Sequence, residues 1–367
     1  MQMMDAVFTG LSNERPEFKN AMATWRDRLQ PELAAREAER KAIIKRAIQR
    51  TIITVLVVMT VAIVGIVLFA SGEFSFFLGA LALMVSGVAS AVAWMPLMAM
   101  KSETKQMVVG AAAEAFGFSY DTLHPDMKGV SDWRSAGAWI KAQGEAAQQK
   151  TAAVKLFGGG EDETPTPAFE VLKTANLLPS YDKRKFEDLI QGERAGAKFS
   201  LVECKLTEEQ GSGKNRRTVT TFQGLLFHIA YPQRFLGRTI VARRGWSKGW
   251  FSKTNKDLER VELTSTELER AFNVFSNDQV EARFLLTPDR MERLIALERH
   301  FKGGKLRFIF EGDHLTLALE AKDQFEAGSI WQPLVNPERY TSALTEMGLV
   351  CDVIDGFLTR EWVKDKL

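Results

Sequence analysis

Histidine and cysteine, the residues that most often bind metals or act as nucleophiles, are not spaced for either role in this chain. The four histidines show no HxxH, HxxxH or HExxH spacing, and the two cysteines, Cys204 and Cys351, have no CxxC partner. Because metal ligands usually show closer spacing, we predict no metal site and two ordinary thiols. His228, within an apolar strand, is predicted to hydrogen-bond inside the sheet.

Two further patterns resemble sites but lack the residues that the chemistry needs. Gly211–Lys214 reads GSGK, yet the chain lacks the first Gly and the final Ser or Thr of the phosphate-binding pattern GxxxxGK[ST]. Asp182, Glu187 and Asp188 predict an acidic turn that caps a helix, in preference to a pair of catalytic carboxylates. We therefore predict no catalytic residue and no cofactor.

A basic and aromatic stretch is the soluble feature with the clearest chemistry. Residues 211–256 contain ten Lys or Arg and no Asp or Glu, and Arg243–Lys256 reads RRGWSKGWFSKTNK. Near an anionic leaflet each cation gains about 1 kcal/mol, and Trp favours the headgroup region. We predict that this loop contacts anionic lipid headgroups or an acidic protein through the following residues: Arg243, Arg244, Trp246, Lys248, Trp250, Phe251 and Lys253.

Two other interpretations of the same stretch stay open. It is a solvated hairpin loop whose aromatic side chains cover the sheet edge, or it stacks on nucleic acid. Nucleic acid is disfavoured because no recognised binding module surrounds the loop. The net charge of +2 does not favour any of these interpretations, since net charge alone indicates no class of partner.

Two uncharged apolar runs, Thr51–Ala70 and Phe74–Met100, are separated by only three residues. About 20 helical residues span the roughly 30 Å hydrocarbon core of a bilayer. The runs therefore predict an antiparallel transmembrane hairpin within the lipid bilayer. A hairpin buried in a large soluble core is the alternative, but two such runs are rare in soluble domains.

The flanking charges predict the orientation of this hairpin. The only charge in the short loop is Glu73, whereas cations lie outside both runs: Lys41, Lys45, Arg46, Arg50, Lys101 and Lys105. By the positive-inside rule both termini are cytoplasmic, which predicts a multi-pass protein of the bacterial inner membrane. About fifty polar residues precede the first run, so it is not predicted to be a cleaved signal peptide.

Small residues recur on two neighbouring faces of the second run. Such residues let membrane helices approach closely, so one face is predicted to pack on the first run and the other to meet a second copy of the chain. Packing within one hairpin is the alternative. The residues of these faces are Gly79, Ala82, Ser86, Gly87, Ser90 and Ala91. Because neither run contains an ionisable residue, an ion-coupled transporter is disfavoured.

Outside the hairpin, more than 300 residues remain, enough for one or two domains with a core. Phe18, Met22, Trp25 and Leu29 form a helical stripe that is predicted to pack on the protein's own cytoplasmic helices. The second run is predicted to continue as a helix to Ala115. The predicted division is 1–50, cytoplasmic amphipathic helices; 51–100, hairpin; 101–168, helical continuation and flexible linker at 150–167; 169–367, cytoplasmic α+β domain.

The last of these segments alternates strands with hairpin turns, which favours an α+β fold with a mainly antiparallel sheet. Thr207–Asn215 is predicted as a turn, and Val261–Leu263 as a short strand before a helix at 267–275. Val280–Leu286 is predicted to be extended. The clearer strands and helices are 198–206, 218–231, 238–243, the hairpin 306–310 with 315–319, the helix 288–300, and a helical C-terminal forty residues.

Several stretches resemble a bacterial family of two-span membrane proteins catalogued as a domain of unknown function. The most specific is VFSNDQVEARFLLTP at Val274–Pro288, and the likeness runs from about Ala111 to Trp362. This resemblance implies a hairpin anchor and a cytoplasmic α+β domain, with no activity to transfer. The other matching features are LLPSYD (Leu177–Asp182), Glu187, Asp188, Gly192, Glu203, FQGLLF (Phe222–Phe227), Met291, Glu292, Leu294 and TREW (Thr359–Trp362).

These observations favour an inner-membrane-anchored cytoplasmic binding or scaffolding protein. A homo-oligomeric channel or mechanosensor built from the hairpins is the first alternative. An enzyme that acts at the membrane surface is the second. The sequence does not identify a ligand or a partner.

Overall fold

The computed structural model describes residues 8–12, 15–68, 73–123, 138, 141, 166–211, 213–246, 256–263, 266–301 and 304–358. Three sequence predictions fall largely on other residues. The linker at 150–165, the tip of the basic loop at 247–255 and the terminal TREW lie outside the described residues.

Two long helices dominate the N-terminal third of the chain. A short helix α1 (Ala21–Thr24) passes through a π-helical turn (Trp25–Leu29) into α2 (Gln30–Leu68), and α3 covers Glu73–Ala115. Helix α3 ends as predicted, with Gly117 at φ 74°. There the Phe118 amide donates to the Ala113 carbonyl over 3.0 Å, a contact typical of a Schellman cap.

Both long helices contain segments that are long and apolar enough to cross a membrane, by length and composition. Their apolar side chains are largely unburied, since Ile53 is 60% exposed and Leu83 and Met84 are 70% exposed. Soluble proteins rarely leave so continuous an apolar surface in water. These segments therefore leave a long apolar surface uncovered by the described residues.

The strands of the remaining described residues form one nine-stranded sheet, in the order β1-β2-β3-β4-β9-β8-β5-β7-β6. Every strand pair in it is antiparallel, which confirms the predicted α+β class with an antiparallel sheet. The strands are β1 Ser119–Thr122, β2 Lys183–Arg194, β3 Ala197–Gln210, β4 Arg217–Ala230, β5 Thr239–Arg243, β6 Glu259–Arg260, β7 Phe272–Ser276, β8 Leu306–Glu311 and β9 His314–Glu320. The accompanying helices are α4 Pro167–Thr174, α5 Thr266–Ala271, α6 Gln279–Leu285, α7 Pro288–His300 and α8 Pro337–Leu358.

Apolar side chains fill both faces of the sheet. On one face α4 packs Phe169 and Leu172 against the strands. On the other face the core includes Phe357 of α8, Val108 of α3 and the N-terminal Trp25. Phe18, Trp25 and Leu29 are at most 2% exposed, so the predicted N-terminal stripe packs on the protein's own helices and not on lipid.

The predicted acidic turn at Asp182, Glu187 and Asp188 is wrong. Glu187 and Asp188 lie within strand β2, and Asp182 directly precedes it. Asp182 accepts a hydrogen bond from the Glu209 amide of β3 over 2.6 Å, so it joins two strands and caps no helix. Polar side chains close together in sequence are typical of a turn. Here the segment is a strand, because β2 pairs with β1 on one side and β3 on the other.

The extended prediction for Val280–Leu286 is also wrong, because the segment forms helix α6. Asp278 caps that helix, accepting hydrogen bonds from the Val280 and Glu281 amides over 3.0 and 2.9 Å. Val280 is 78% exposed while Leu285 is buried. The hydrophobic residues of this segment therefore did not show which side chains face the core.

Three boundaries differ from those predicted by sequence. Strand β3 continues to Gln210, into the predicted turn. The short strand before α5 is Glu259–Arg260 and not Val261–Leu263. Phe272–Ser276 is strand β7 and not helix, because it pairs with both β5 and β6.

Candidate functional site

A charged cluster lies between helix α3 and the sheet, and its central residues are buried. At its centre Lys105 Nζ lies 2.7 Å from Asp188 Oδ2. The Lys105 side chain is 8% exposed and that of Asp188 is fully buried. The Tyr120 hydroxyl of β1 donates to Asp188 Oδ1 over 2.7 Å, so both carboxylate oxygens are occupied. A buried charge of this kind requires such partners, because it has lost its water.

A β-bulge explains how Asp188 comes to face the helix. The pairing of β2 with β3 changes register between Phe186 and Leu189. Phe186 packs against the α4 side of the sheet, whereas Ile190 lies in the core on the α3 side. Strand side chains alternate between faces, so an extra residue turns the following ones over. The bulge therefore places Asp188 on the same face as Ile190, beneath α3.

Glu203 of β3 is the second buried carboxyl group of the cluster. Its Oε1 accepts a hydrogen bond from the Gln324 amide over 3.1 Å. Burial raises the pKa of Glu203 to about 9, against the opposing effect of that amide, and the nearby charge of Asp188 adds to the rise. This rise in the pKa favours the protonated form of Glu203 at neutral pH. A protonated Glu203 can donate to Asp188, while the Lys105 ammonium balances the remaining negative charge.

Two glutamates complete the cluster: Glu326, in the segment before α8, and Glu346, in the middle of α8. Glu326 accepts from Lys105 over 3.2 Å and pairs with Lys101 over 3.1 Å. Despite its burial, the attraction of these two lysines lowers the pKa of Glu326. Glu346 accepts from the Phe325 amide over 2.7 Å, and burial raises the pKa of Glu346 to about 7.

We name these seven residues the junction cluster: Lys101, Lys105, Tyr120, Asp188, Glu203, Glu326 and Glu346. It connects α3 with β1, β2, β3, the segment leading into α8 and α8 itself. Neither of two cavities on the described surface, of about 340 and 510 Å³, is lined by any of its members. The cluster is thus suited to joining these elements through buried charges.

No three His, Cys, Asp or Glu side chains within the described ranges are placed to hold a metal ion. Cys204 and Cys351 are buried free thiols, and burial raises the pKa of each. His228 Nδ1 lies 2.9 Å from Thr316 Oγ1 of the neighbouring strand, so the predicted hydrogen bond inside the sheet is confirmed.

The first residues of the predicted basic loop are used inside the protein. The Arg243 guanidinium pairs with Glu298, whose side chain is 1% exposed, and lies over the Phe272 ring. Trp246 Nε1 donates to the Asn176 carbonyl over 3.2 Å. Its ring also lies 3.9 Å from the guanidinium carbon of the buried Arg307. Arg243 and Trp246 therefore fix the start of the loop to the sheet.

Of the other predicted loop residues, the structure describes only Arg244. Arg244 donates to the Glu269 carbonyl over 3.3 Å. Lys248, Trp250, Phe251 and Lys253 lie outside the described residues. Contact of this loop with lipid or an acidic protein stays a prediction. The GSGK stretch at Gly211–Lys214 joins β3 to β4, which agrees with a turn between strands.

The small residues of the second apolar run separate into two groups in α3. Ser86 and Ser90 are half-buried, in helical register with the buried Ala93 and Leu97. Gly87 is exposed, and a Cβ atom added at Gly79 or Gly87 would meet nothing within 4 Å. The side chain of Ala82 lies outside the described residues.

Sequence reasoning did not identify the junction cluster as a site. A signal was nevertheless present in Leu201–Lys205, where the charged Glu203 interrupts an apolar strand. Asp188 carried a weaker signal, because the bulge that turns it inward has no clear local pattern. Lys105 was read only as a charge flanking the membrane.

One of the comparisons with known proteins matches a family that has no assigned function. Residues 220–358 match the family model described as "Protein of unknown function (DUF3137)", which confirms the resemblance for that part of the chain. A comparison with curated proteins finds no match. Among solved structures, the crystal structure of the mycobacterial trehalose monomycolate transport factor A, TtfA, is 9% identical in sequence. It covers 52% of this chain and 96% of its own, with a TM-score of 0.25. Such a likeness carries no argument about this chain.

Proposed function

We propose that this protein is a membrane-anchored cytoplasmic binding or scaffolding protein, held at the bacterial inner membrane by the α2–α3 hairpin. The continuity of α3 carries the proposal. Near its start Leu83 and Met84 are each 70% exposed, whereas near its end Val108 and Ala112 are fully buried in the domain core. One helix therefore has an apolar surface that needs a bilayer and an end that belongs to a folded domain.

The charges around the hairpin support a cytoplasmic location for the domain. Lys45 and Arg46 are exposed shortly before the first apolar run. Lys101 and Lys105 follow the second and enter the junction cluster. Cations near the ends of spans favour the cytoplasmic side, so both termini and the sheet lie there.

The junction cluster supports a role in holding a partner at a fixed position. Lys105 of α3 is paired inside the protein with Asp188 of β2. Breaking such a pair is costly, since it leaves a buried charge without compensation. The anchor is thereby attached to the sheet without a flexible connection at this point, which suits a scaffold.

Cysteine labelling in intact bacteria tests the proposal. Asn20→Cys and Lys198→Cys, both at exposed positions, should resist a membrane-impermeant maleimide until the cells are opened. Gly72→Cys, between the apolar runs, should react from outside. The native Cys204 and Cys351 are buried and serve as the background. Release of the protein from membranes by alkaline carbonate, or labelling of Lys198→Cys from outside, would contradict the proposal.

A homo-oligomeric channel or mechanosensor built from hairpins is the second candidate function. The exposed Gly87, with open space around its Cα, favours it, because small residues permit close contact between membrane helices. A defined oligomer in mild detergent would support this candidate. We do not propose the membrane-surface enzyme, since no described residue specifically favours it.

A further inference from the structure

The segment Ala327–Leu334, between the sheet and helix α8, is held rigidly although it has no regular secondary structure. Arg339 donates to four of its carbonyl oxygens, among them those of Ser329 and Gln332 over 2.5 and 3.1 Å. From α2, Arg40 donates to the Ile330 carbonyl over 2.8 Å. We name Ala327–Leu334 the tryptophan loop, after Trp331 at its tip.

The same loop is fastened to the core on both sides of its tip. Ile330 is 7% exposed and Leu334 is fully buried. Glu37 of α2 accepts from the Leu334 amide over 2.9 Å and pairs with Arg40 over 2.7 Å. Trp331, which lies between Ile330 and Leu334, is 60% exposed. A rigid loop thus presents one large aromatic side chain to its surroundings.

The position of Trp331 coincides with the start of the first apolar run. Its ring lies 5.4 Å from that of Trp94 in α3, measured between centroids. Trp94 Nε1 in turn donates to Thr51 Oγ1 over 3.2 Å. Thr51 is the first residue of the apolar run and follows Arg50 directly. Trp331 therefore lies level with the boundary between charged and apolar surface on the hairpin.

Tryptophan favours this level of a bilayer, because its ring is mostly apolar and its N–H group can bond to water or lipid oxygens. Cations favour the same level when lipid headgroups are anionic. Lys45 and Arg46 are exposed in the part of α2 that directly precedes Thr51. An aromatic ring and exposed cations thus lie near the same level of the hairpin, where the apolar run begins.

We propose that the tryptophan loop is a lipid-binding element, with Trp331 inserted among the phospholipid headgroups of the membrane that holds the hairpin. This inference rests on the proposed membrane anchoring and specifies the surface that faces the lipid. This contact would fix the tilt of the sheet relative to the membrane, because hydrogen bonds from Arg40 and Arg339 hold the loop to α2 and α8.

Spin labels on the full-length protein in phosphatidylcholine and phosphatidylglycerol vesicles test the proposal. A label at Trp331→Cys should be accessible to oxygen and several-fold less accessible to a water-soluble nickel chelate than a label at Leu236→Cys. Leu236 is the matched control, since it is an apolar loop residue that is 89% exposed and lies between β4 and β5. A third label at Val57→Cys, 56% exposed on α2, reports whether the hairpin is inserted.

The three labels separate the two proposals. Nickel access at Val57 would overturn the membrane anchoring itself. With Val57 in lipid, equal nickel access at Trp331 and Leu236 would overturn only the lipid-binding loop. Protection of Trp331 from both reagents would indicate a protein contact and would also overturn it. Oxygen access without nickel access at Trp331 supports it.

Discussion

Lys105 and Asp188 lie 83 positions apart in the chain, yet their charged atoms are 2.7 Å apart and almost without solvent. The pair joins the helix that carries the second apolar run to a strand of the sheet. Any tilt of α3 would have to separate these charges or move β2 with it. The hairpin and the sheet are thereby linked as one unit.

Lys105→Met should destabilise the protein by about 3–5 kcal/mol, because it leaves the buried Asp188 carboxylate without its cation. Lys101→Met is the matched control in the same helix. Its pair with Glu326 is 41% and 37% exposed, so we expect a loss of about 0–1 kcal/mol. Urea unfolding in detergent measures both. Equal losses for the two variants would mean that the buried pair has no special role.

Stability should fall as pH rises from about 5 to 9, partly because of Glu203. Burial raises the pKa of Glu203 to about 9 in the folded protein, from an ordinary value of 4.5. Between these values the folded state binds the proton and the unfolded state does not, so increasing pH favours unfolding. Glu203→Gln should flatten this part of the pH profile of the free energy of unfolding. Glu311→Gln, at a half-exposed carboxylate, is the control. An unchanged slope in Glu203→Gln would show that the carboxyl is ionised in the folded state.

Gly87→Leu should lower the oligomer mass in mild detergent, if the exposed small face of α3 meets a second copy of the chain. The added side chain would block the close approach that Gly permits. Val88→Leu is the matched control. It adds bulk at a neighbouring position that is 58% exposed, but it replaces no small residue. Ser86→Leu and Ser90→Leu test the half-buried face for comparison. A parent protein that runs as a monomer would restrict all these residues to packing within the hairpin.

The basic loop should approach anionic headgroups more closely than neutral ones. A fluorophore at Phe251→Cys in the reconstituted full-length protein should be better shielded from iodide in anionic vesicles, and salt should reduce the difference. Lys248→Glu with Lys253→Glu should remove it, whereas Lys198→Glu with Lys305→Glu, at exposed positions elsewhere, should not. Arg243 is unsuitable for this test because it pairs with the buried Glu298. Identical shielding in both lipids would leave an acidic protein as the predicted partner.

Local patterns predicted much of the fold but little of the site. The hairpin of Leu306–Glu311 with His314–Glu320 followed from two short apolar runs joined at Gly312-Asp313, and Gly312 has φ 63°. Helix α6 was not predicted, because its capping signal at Asp278 is short and some of its apolar side chains are exposed. Trp246 was assigned to a surface loop, although a carbonyl distant in sequence and the buried Arg307 hold its side chain.

The sequence by itself determined the two apolar runs, the charges beside them and the antiparallel α+β class, since each depends on neighbouring residues and on the period of one element. Only the tertiary structure decided that Lys105 meets Asp188, that burial raises the pKa of Glu203 and that Trp331 lies beside Trp94. These relationships depend on a bulge, on helix packing and on loss of solvent. They arise between segments far apart in the chain, where local spacing contains no information about distance.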